Sequence, residues 1–386
     1  MTIQHFTLFR ARGFSLVELM VAIVIGLLTV LVATDVIVKS SQQKRATVSG
    51  TDATINATLG LYSLERDVKN AGFGISPVAS AIGCQARRRF GALPEERFLL
   101  VPVHIEDGPA SSPDTIRVLY GNDPNSALPL YITGRPADDR FSVNFAPGVN
   151  AGDVMMAIPS VPQRDAAGEW TRWCSVFVVT DVTPAASAGN TDIHHTSGEN
   201  GSDWNLNSVF PTENADRYMI SDYLLNLGAV VDNTYTVNAA NGLQLAQVRY
   251  AAAPNHNAPP ITIYPSVVQL QAVYGRDTMG NDGVVDVWTN QQPADPQDWR
   301  QVKAIRVALV ARSAEREARD VTPAANICAQ ATANNTTPPV NAVCWRPNPN
   351  GPLQDIDVTN VGANWRQFRY RVVETTIPLR NAIWAQ

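Results

Sequence analysis

The sequence predicts an α+β fold: one long N-terminal helix, membrane-spanning in its first half, packed on an antiparallel β-sheet head with large loop insertions. Three observations lead there. The run from Phe14 to Val38 is apolar but for Glu18 and Asp35. A helical periodicity continues from it to Gly72, and after residue 75 the pattern changes to short runs rich in β-branched and aromatic residues. With 386 residues, 45% of them hydrophobic and 17% charged, the chain is long enough to bury a sizeable core.

The helix begins with its apolar half. Residues 1–13 carry Arg10 and Arg12 and no acid, as a targeting segment does, but no small-x-small cleavage site ends the apolar stretch. The stretch is therefore expected to be kept. Sixteen uncharged residues separate Glu18 from Asp35, and the 25 residues from Phe14 to Val38 reach roughly 37 Å as a helix. Basic residues stay on the cytoplasmic side, so the bulk of the chain is expected outside. A carboxylate at membrane depth is costly unless paired, which makes Glu18 a functional candidate, with snorkelling to the surface as the alternative. Asp35 is read only as a marker of the outer membrane interface.

Residues 39–72 form the soluble half of the helix. Val48, Ile55, Leu59 and Tyr62 share one stripe and Ala57, Leu61, Leu64 and Val68 another, so this half can lay a face on a globular domain. Gly50 and Gly60 are places where it can bend, and Gly72 suits a C-terminal cap. Strands are expected at Phe98–Val103, Asp114–Tyr120, Cys174–Val179, Leu243–Tyr250, Ala304–Arg312 and Phe368–Thr376. In the fifth, Ile305, Val307, Leu309 and Ala311 alternate with Arg306 and Arg312, as in a strand covered on one face. A short helix is expected within 213–227, with Met219, Tyr223, Leu224 and Leu227 on one side. The Pro-, Gly-, Asn- and Ser-rich stretches Pro184–Asn205, Ala251–Pro260 and Pro323–Pro352 read as surface insertions. The head is expected over 73–386, with a second lobe inserted at about 85–260.

Four cysteines in a domain delivered outside the cytoplasmic membrane favour disulfides, with three connectivities open. Cys328 with Cys344, closing a Pro- and Asn-rich loop, is the preferred pair, and Cys84 with Cys174 then follows. No paired C-x-x-C spacing supports zinc. The net charge of −5 gives no reason to expect a nucleic-acid partner, and the cluster Arg87, Arg88 and Arg89 reads as a solvated loop. His194 and His195, near Asp192, Glu199 and Asp203, read likewise. The turn at 277–286 has acidic residues around glycine, as calcium loops do, but departs by one residue from the D-x-[DN]-x-[DN]-G spacing. A tight Asx turn is preferred there; if Ca²⁺ binds, the expected ligands are Asp277, Asn281, Asp282 and Asp286. Trp345, Trp365 and Trp384 read as core or interface residues. No nucleophile elbow, phosphate-binding glycine loop or zinc-protease helix is present, so a non-enzymatic protein is expected.

Gly13-Phe14-Ser15-Leu16-Val17-Glu18, behind a short basic leader and ahead of an apolar helix, is similar to the class III signal of type IV pilins and type II secretion pseudopilins. The resemblance implies a pilin-like fold, a 1–13 leader removed by a prepilin peptidase after Gly13, and N-methylation of Phe14. It implies also that Glu18, the fifth residue after cleavage, meets the Phe14 amine of a neighbouring subunit during assembly. Tyr274-Gly275-Arg276-Asp277 through Trp288, Trp299 through Ser313 and Thr376-Ile377-Pro378-Leu379-Arg380-Asn381 resemble the PilW family of minor type IV pilins, as does the helix closure from Glu65-Arg66-Asp67 to Ala71-Gly72. That family implies a structural subunit of the inner membrane, its head in the periplasm and then on the pilus surface. Implied partners are other minor pilins, the major pilin and a tip adhesin; implied roles are priming of assembly, adhesion, twitching motility or DNA uptake. The alternatives are a J-type minor pseudopilin of a type II secretion system and a tip-exposed ligand-binding module.

Overall fold

The computed structural model describes residues 15–383 except 110–111, 123–127, 135–137, 188, 199–201, 212–217, 251–258, 281 and 325, with 42–43, 45–47 and 49 described by backbone alone. One unbroken helix runs over Leu16–Asn70. Ser15 caps its start, and the positive φ of 79° at Gly72 ends it, a conformation glycine adopts without strain. The segment Leu16–Ser41 is exposed along its whole length and is long and apolar enough to cross a bilayer. Within it, Asp35 is answered by Lys39 one turn on, at 2.7 Å, which supplies the charge partner that the sequence reading left unassigned.

Beyond residue 50 the two stripes separate. Ala53, Ala57, Leu61, Leu64 and Val68 are buried, whereas Val48, Ile55, Leu59 and Tyr62 face outward. Each leucine fully withdrawn from water contributes about 1.5–3 kcal/mol, so the buried stripe fixes the face by which the helix docks. Gly60 is a contact point and not a break: a Cβ there would stand 3.1 Å from Leu243 and 3.3 Å from Leu309, so its lack of a side chain lets the helix approach the sheets.

The helix packs on two sheets through one core. The five-stranded sheet has the order Ile261–Pro265, Gly242–Gln247, Val231–Val237, Thr115–Tyr120, Val103–Glu106, and the four-stranded sheet Val287–Thr289, Val267–Arg276, Val302–Arg312, Tyr370–Pro378. Both are antiparallel throughout. Leu61, Leu64 and Val68 meet Ile105, Ile116, Leu243, Leu270, Ile305, Val307 and Leu309 there. Strand Val302–Arg312 was expected to have one covered face and has two. Ala308 and Val310, on its reverse side, are buried under Val343, Trp345, Ile356 and Val358.

The cover comes from the stretch Pro323–Pro352, which is therefore not a plain surface insertion. It holds the helix Ile327–Ala333 and the strand Cys344–Trp345, paired with Gln354–Asp355. The Asp355 carboxylate accepts the Ile327 and Cys328 N–H groups at 3.0 and 3.2 Å, and Cys328 is bonded to Cys344.

A second body of structure lies largely between residues 84 and 228. Its six-stranded sheet has the order Glu96–Leu99, Gln85–Arg88, Cys174–Val178, Val154–Ile158, Tyr223–Gly228, Leu130–Tyr131, with cores on both faces. A three-stranded sheet of Asp181–Pro184, Thr191–His194 and Arg140–Val143 packs on one of them. The Cys84–Cys174 disulfide joins residues at the neighbouring parallel strands Gln85–Arg88 and Cys174–Val178. Two expectations are corrected here. Residues 223–228 form a central strand and not part of a helix, because Leu224, Leu225 and Leu227 bury on both faces of the sheet; residues 213–217 lie outside the described residues. The stretch Pro184–Asn205 contributes the strand Thr191–His194 and the buried Trp204 and Asn205, so only part of it is loop.

Candidate functional site

The processing residues Gly13 and Phe14 lie outside the described residues. Two residues further on, Ser15 and Glu18 form a reciprocal cap: the Ser15 hydroxyl accepts the Glu18 N–H at 3.1 Å, and the Glu18 Oε2 accepts the Ser15 N–H at 3.1 Å. Among the described residues, the exposed Glu18 side chain is bonded only within its own turn. Its carboxylate thus has acceptor capacity left for a cation presented from outside the chain.

At the other end of the helix stands Asp67, buried and saturated. Its Oδ2 accepts the Asn233 amide at 2.6 Å and the Tyr235 hydroxyl at 2.7 Å, and its Oδ1 the Tyr120 hydroxyl at 3.3 Å. Burial and the adjacent carboxylate push the Tyr120 phenol up to about 12 and Tyr235 higher still, so both remain donors. The Asn381 amide donates to the carbonyls of Asn70 and Ala71, each at 3.1 Å, occupying acceptors that a helix end leaves open. Helix and head are thereby fixed in register.

Of the arginine cluster read as a solvated loop, Arg87 and Arg88 are internal, whereas Arg89 is half-buried and donates to the Leu93 carbonyl at 2.8 Å. Arg87 lies 3.3 Å from the Trp173 ring centroid, and Arg88 is buried on Glu96 at 2.7 Å, Asp232 and Tyr250. Arg117 grips the same Asp232 at 2.8 and 2.6 Å. Burial raises the Asp232 pKa, but the Arg117 and Arg88 guanidiniums outweigh it and hold the carboxyl at about 2. This network joins the six-stranded sheet, through Arg88 and Glu96, to the five-stranded sheet, through Arg117 and Asp232.

The histidine pair is not a solvated loop either. His194 ends a strand and meets the Thr183 hydroxyl at 2.9 Å, while His195 is buried among Phe210, Phe141 and Phe177, with ring centroids 4.5, 4.8 and 5.4 Å away. Burial lowers its pKa to about 4, and neither ring nitrogen has a hydrogen-bond partner among the described residues. It is a neutral core residue.

At the acidic turn, the carboxylates serve the backbone. Asp277 accepts the Gly283 N–H at 2.8 Å, Asp286 those of Thr278 and Met279 at 2.9 and 2.7 Å, and Asp282 that of Val284 at 2.9 Å. This is turn geometry of the Asx kind, and among the described residues no group of three His, Cys, Asp or Glu side chains is placed to hold a metal. The fourth expected ligand, Asn281, lies outside the described residues. Trp345 is core, Trp365 is half-buried beside it, and Trp384 lies outside the described residues.

A bilayer-length helix with a capped, exposed carboxylate at its start and a buried stripe docked on antiparallel sheets is the arrangement expected of a pilin-like fold. Residues 8–34 match the model of the prokaryotic N-terminal methylation motif. Residues 234–381, which include the whole four-stranded sheet and the strands Gly242–Gln247 and Ile261–Pro265, match that of Type IV Pilus-assembly protein W. Together these support a PilW-like minor type IV pilin. No curated protein matches the chain. Among solved structures, a type IV-like pilin from Thermus thermophilus aligns with 85% of this chain and 97% of its own at 10% identity, with a TM-score of 0.30, too low to carry an inference.

Proposed function

We propose that the chain is cleaved after Gly13 by a prepilin peptidase, methylated at Phe14, held in the inner membrane by the helix, and incorporated with other minor pilins into a complex that primes a type IV pilus. The reading is structural and not enzymatic. Glu18 neutralises the Phe14 amine of a neighbouring subunit, and the head stands in the periplasm before it reaches the surface. The observation that carries this is the coincidence of the two family matches with the two ends of one helix–sheet unit: the methylation motif where the exposed helix begins, and the PilW match on the sheets where the same helix docks.

The experiment is mass spectrometry of the N-terminal peptide from cells with and without their prepilin peptidase, paired with pilus counts after deletion of the gene. A peptide starting at methylated Phe14 only when the peptidase is present, together with loss of pili, is the expected result. Processing with intact pili and failed protein secretion would move the chain to the J-type pseudopilins, and an unprocessed Met1 terminus would overturn both.

A further inference from the structure

The geometry points to a binding cleft for the C-terminal carboxylate of a polypeptide ending in an apolar residue, at the seam between the Ser160–Trp170 region and the turn of 3-10 helix at Pro296–Gln301. The cleft encloses about 660 Å³, within the range of sites that hold small ligands and peptide ends. Its apolar side is supplied by Ile82, Val161, Trp170 and Pro296. It is preformed: Gly83, at φ 81°, lies so close to Pro296 that a Cβ would stand 2.5 Å from the Pro296 Cα, which locks the two walls together.

Two guanidiniums face this apolar lining. Arg164 is exposed, pairs with Trp170 across the short hairpin and lies 4.3 Å over its ring centroid, and Arg300 is exposed on the opposite wall. Neither has an ion partner among the described residues. The Ser80 hydroxyl, also in the lining, is buried and has no hydrogen-bond partner among the described residues.

The acids in the cleft limit how negative the ligand is. Asp298 is engaged by Arg276 at 3.5 Å and by Gln301 at 3.3 Å, whereas Asp295 has no ion partner among the described residues and would repel a second negative charge. Two guanidiniums and one carboxylate without ion partners among the described residues favour a single carboxylate over a polyanion such as nucleic acid. A chain terminus with a Leu- or Val-sized last side chain combines that charge with the apolar part, and capture of terminal carboxylates is a known mode of peptide recognition. The inference does not depend on the proposed place in a pilus.

The test is isothermal titration of the full chain in detergent micelles with Ac-Ala-Ala-Leu as the free acid and as the C-terminal amide. The expected result is binding of the acid at least tenfold tighter than the amide, a loss of that difference in Arg164→Ala and in Arg300→Ala, and tighter binding in Asp295→Ala. All three positions are exposed, and an unchanged unfolding midpoint shows that each variant is folded. Equal binding of acid and amide, absence of binding by either, or displacement of the peptide by an equal concentration of inorganic phosphate would each overturn the assignment.

Discussion

The two halves of the spine helix differ in what they do with a carboxylate. Near the start, Glu18 is exposed and bonded to the Ser15 N–H of its own first turn, on a segment that none of the described residues buries. Near the end, Asp67 is buried and takes three donors from two strands of the head, with Leu64 and Val68 packed around it. One helix thus carries a finished interface and an unfinished one. Tertiary contact fixes the second half, whereas the first, among the described residues, has its own cap and an apolarity and length that suit a bilayer.

The contrast breaks most sharply at Asp67. Asp67→Ala leaves the buried Asn233 amide and the Tyr235 hydroxyl without an acceptor, and chemical unfolding of the head is expected to show a loss of about 4 kcal/mol. Leu64→Ala, in the buried stripe, is expected to cost about 3 kcal/mol in the same assay, whereas Leu59→Ala, on the outward stripe, stays within about 0.5 kcal/mol. A reversal would mean that the helix docks by its other face.

Asp114 sharpens the picture of the docked region. Its carboxylate, buried between the hairpin at Gly108 and strand Val267–Arg276, accepts the Gly108 and Ala272 N–H groups at 2.9 and 2.7 Å. Burial pushes its pKa from 3.8 up to about 6, so the folded state binds this proton more tightly than the unfolded one. Its contribution is fully present below pH 3.8 and is lost as the pH rises through 6, a fall of about 3 kcal/mol seen as a slope in stability against pH. Asp114→Asn is expected to flatten that slope. The smallest change in head stability belongs to Glu18→Ala, under about 1 kcal/mol, because only a local cap is lost. Its effect is expected instead in filament incorporation, read by immunoblot of sheared pili.

Legibility in the sequence follows the range of the interactions. The helix from Leu16 to Asn70 was readable because its apolar density, its spacing and Gly72 are local signals. Its docking face was not, since both stripes are apolar and only the strands they meet distinguish them. Arg88 was misread because Asp232, which neutralises it, lies 144 residues away in sequence. His195 was misread for the same reason: Phe141, Phe177 and Phe210 come from separate segments. Strand Val302–Arg312 did carry a usable signal. Ala304, Ala308 and Val310 make it nearly continuously apolar, which marks a strand buried on both faces. Tyr223–Gly228 is a harder case, because a leucine-rich run six residues long fits a buried helix as well as a buried strand.

The strand that the spine helix lies on, Tyr370–Pro378, and the Asn381 amide that closes its last turn are supplied by the far end of the chain. Synthesis makes the helix first and its seat last. A chain halted before residue 370 keeps its anchor and most of the core around Leu61, Leu64 and Val68, but lacks Val373, which packs beside Ala53 and Ala57, and the Asn381 amide. Closure spans more than 300 residues of sequence, a long-range contact of the kind that forms slowly, so the last turn of the helix is the part of its seat that waits longest.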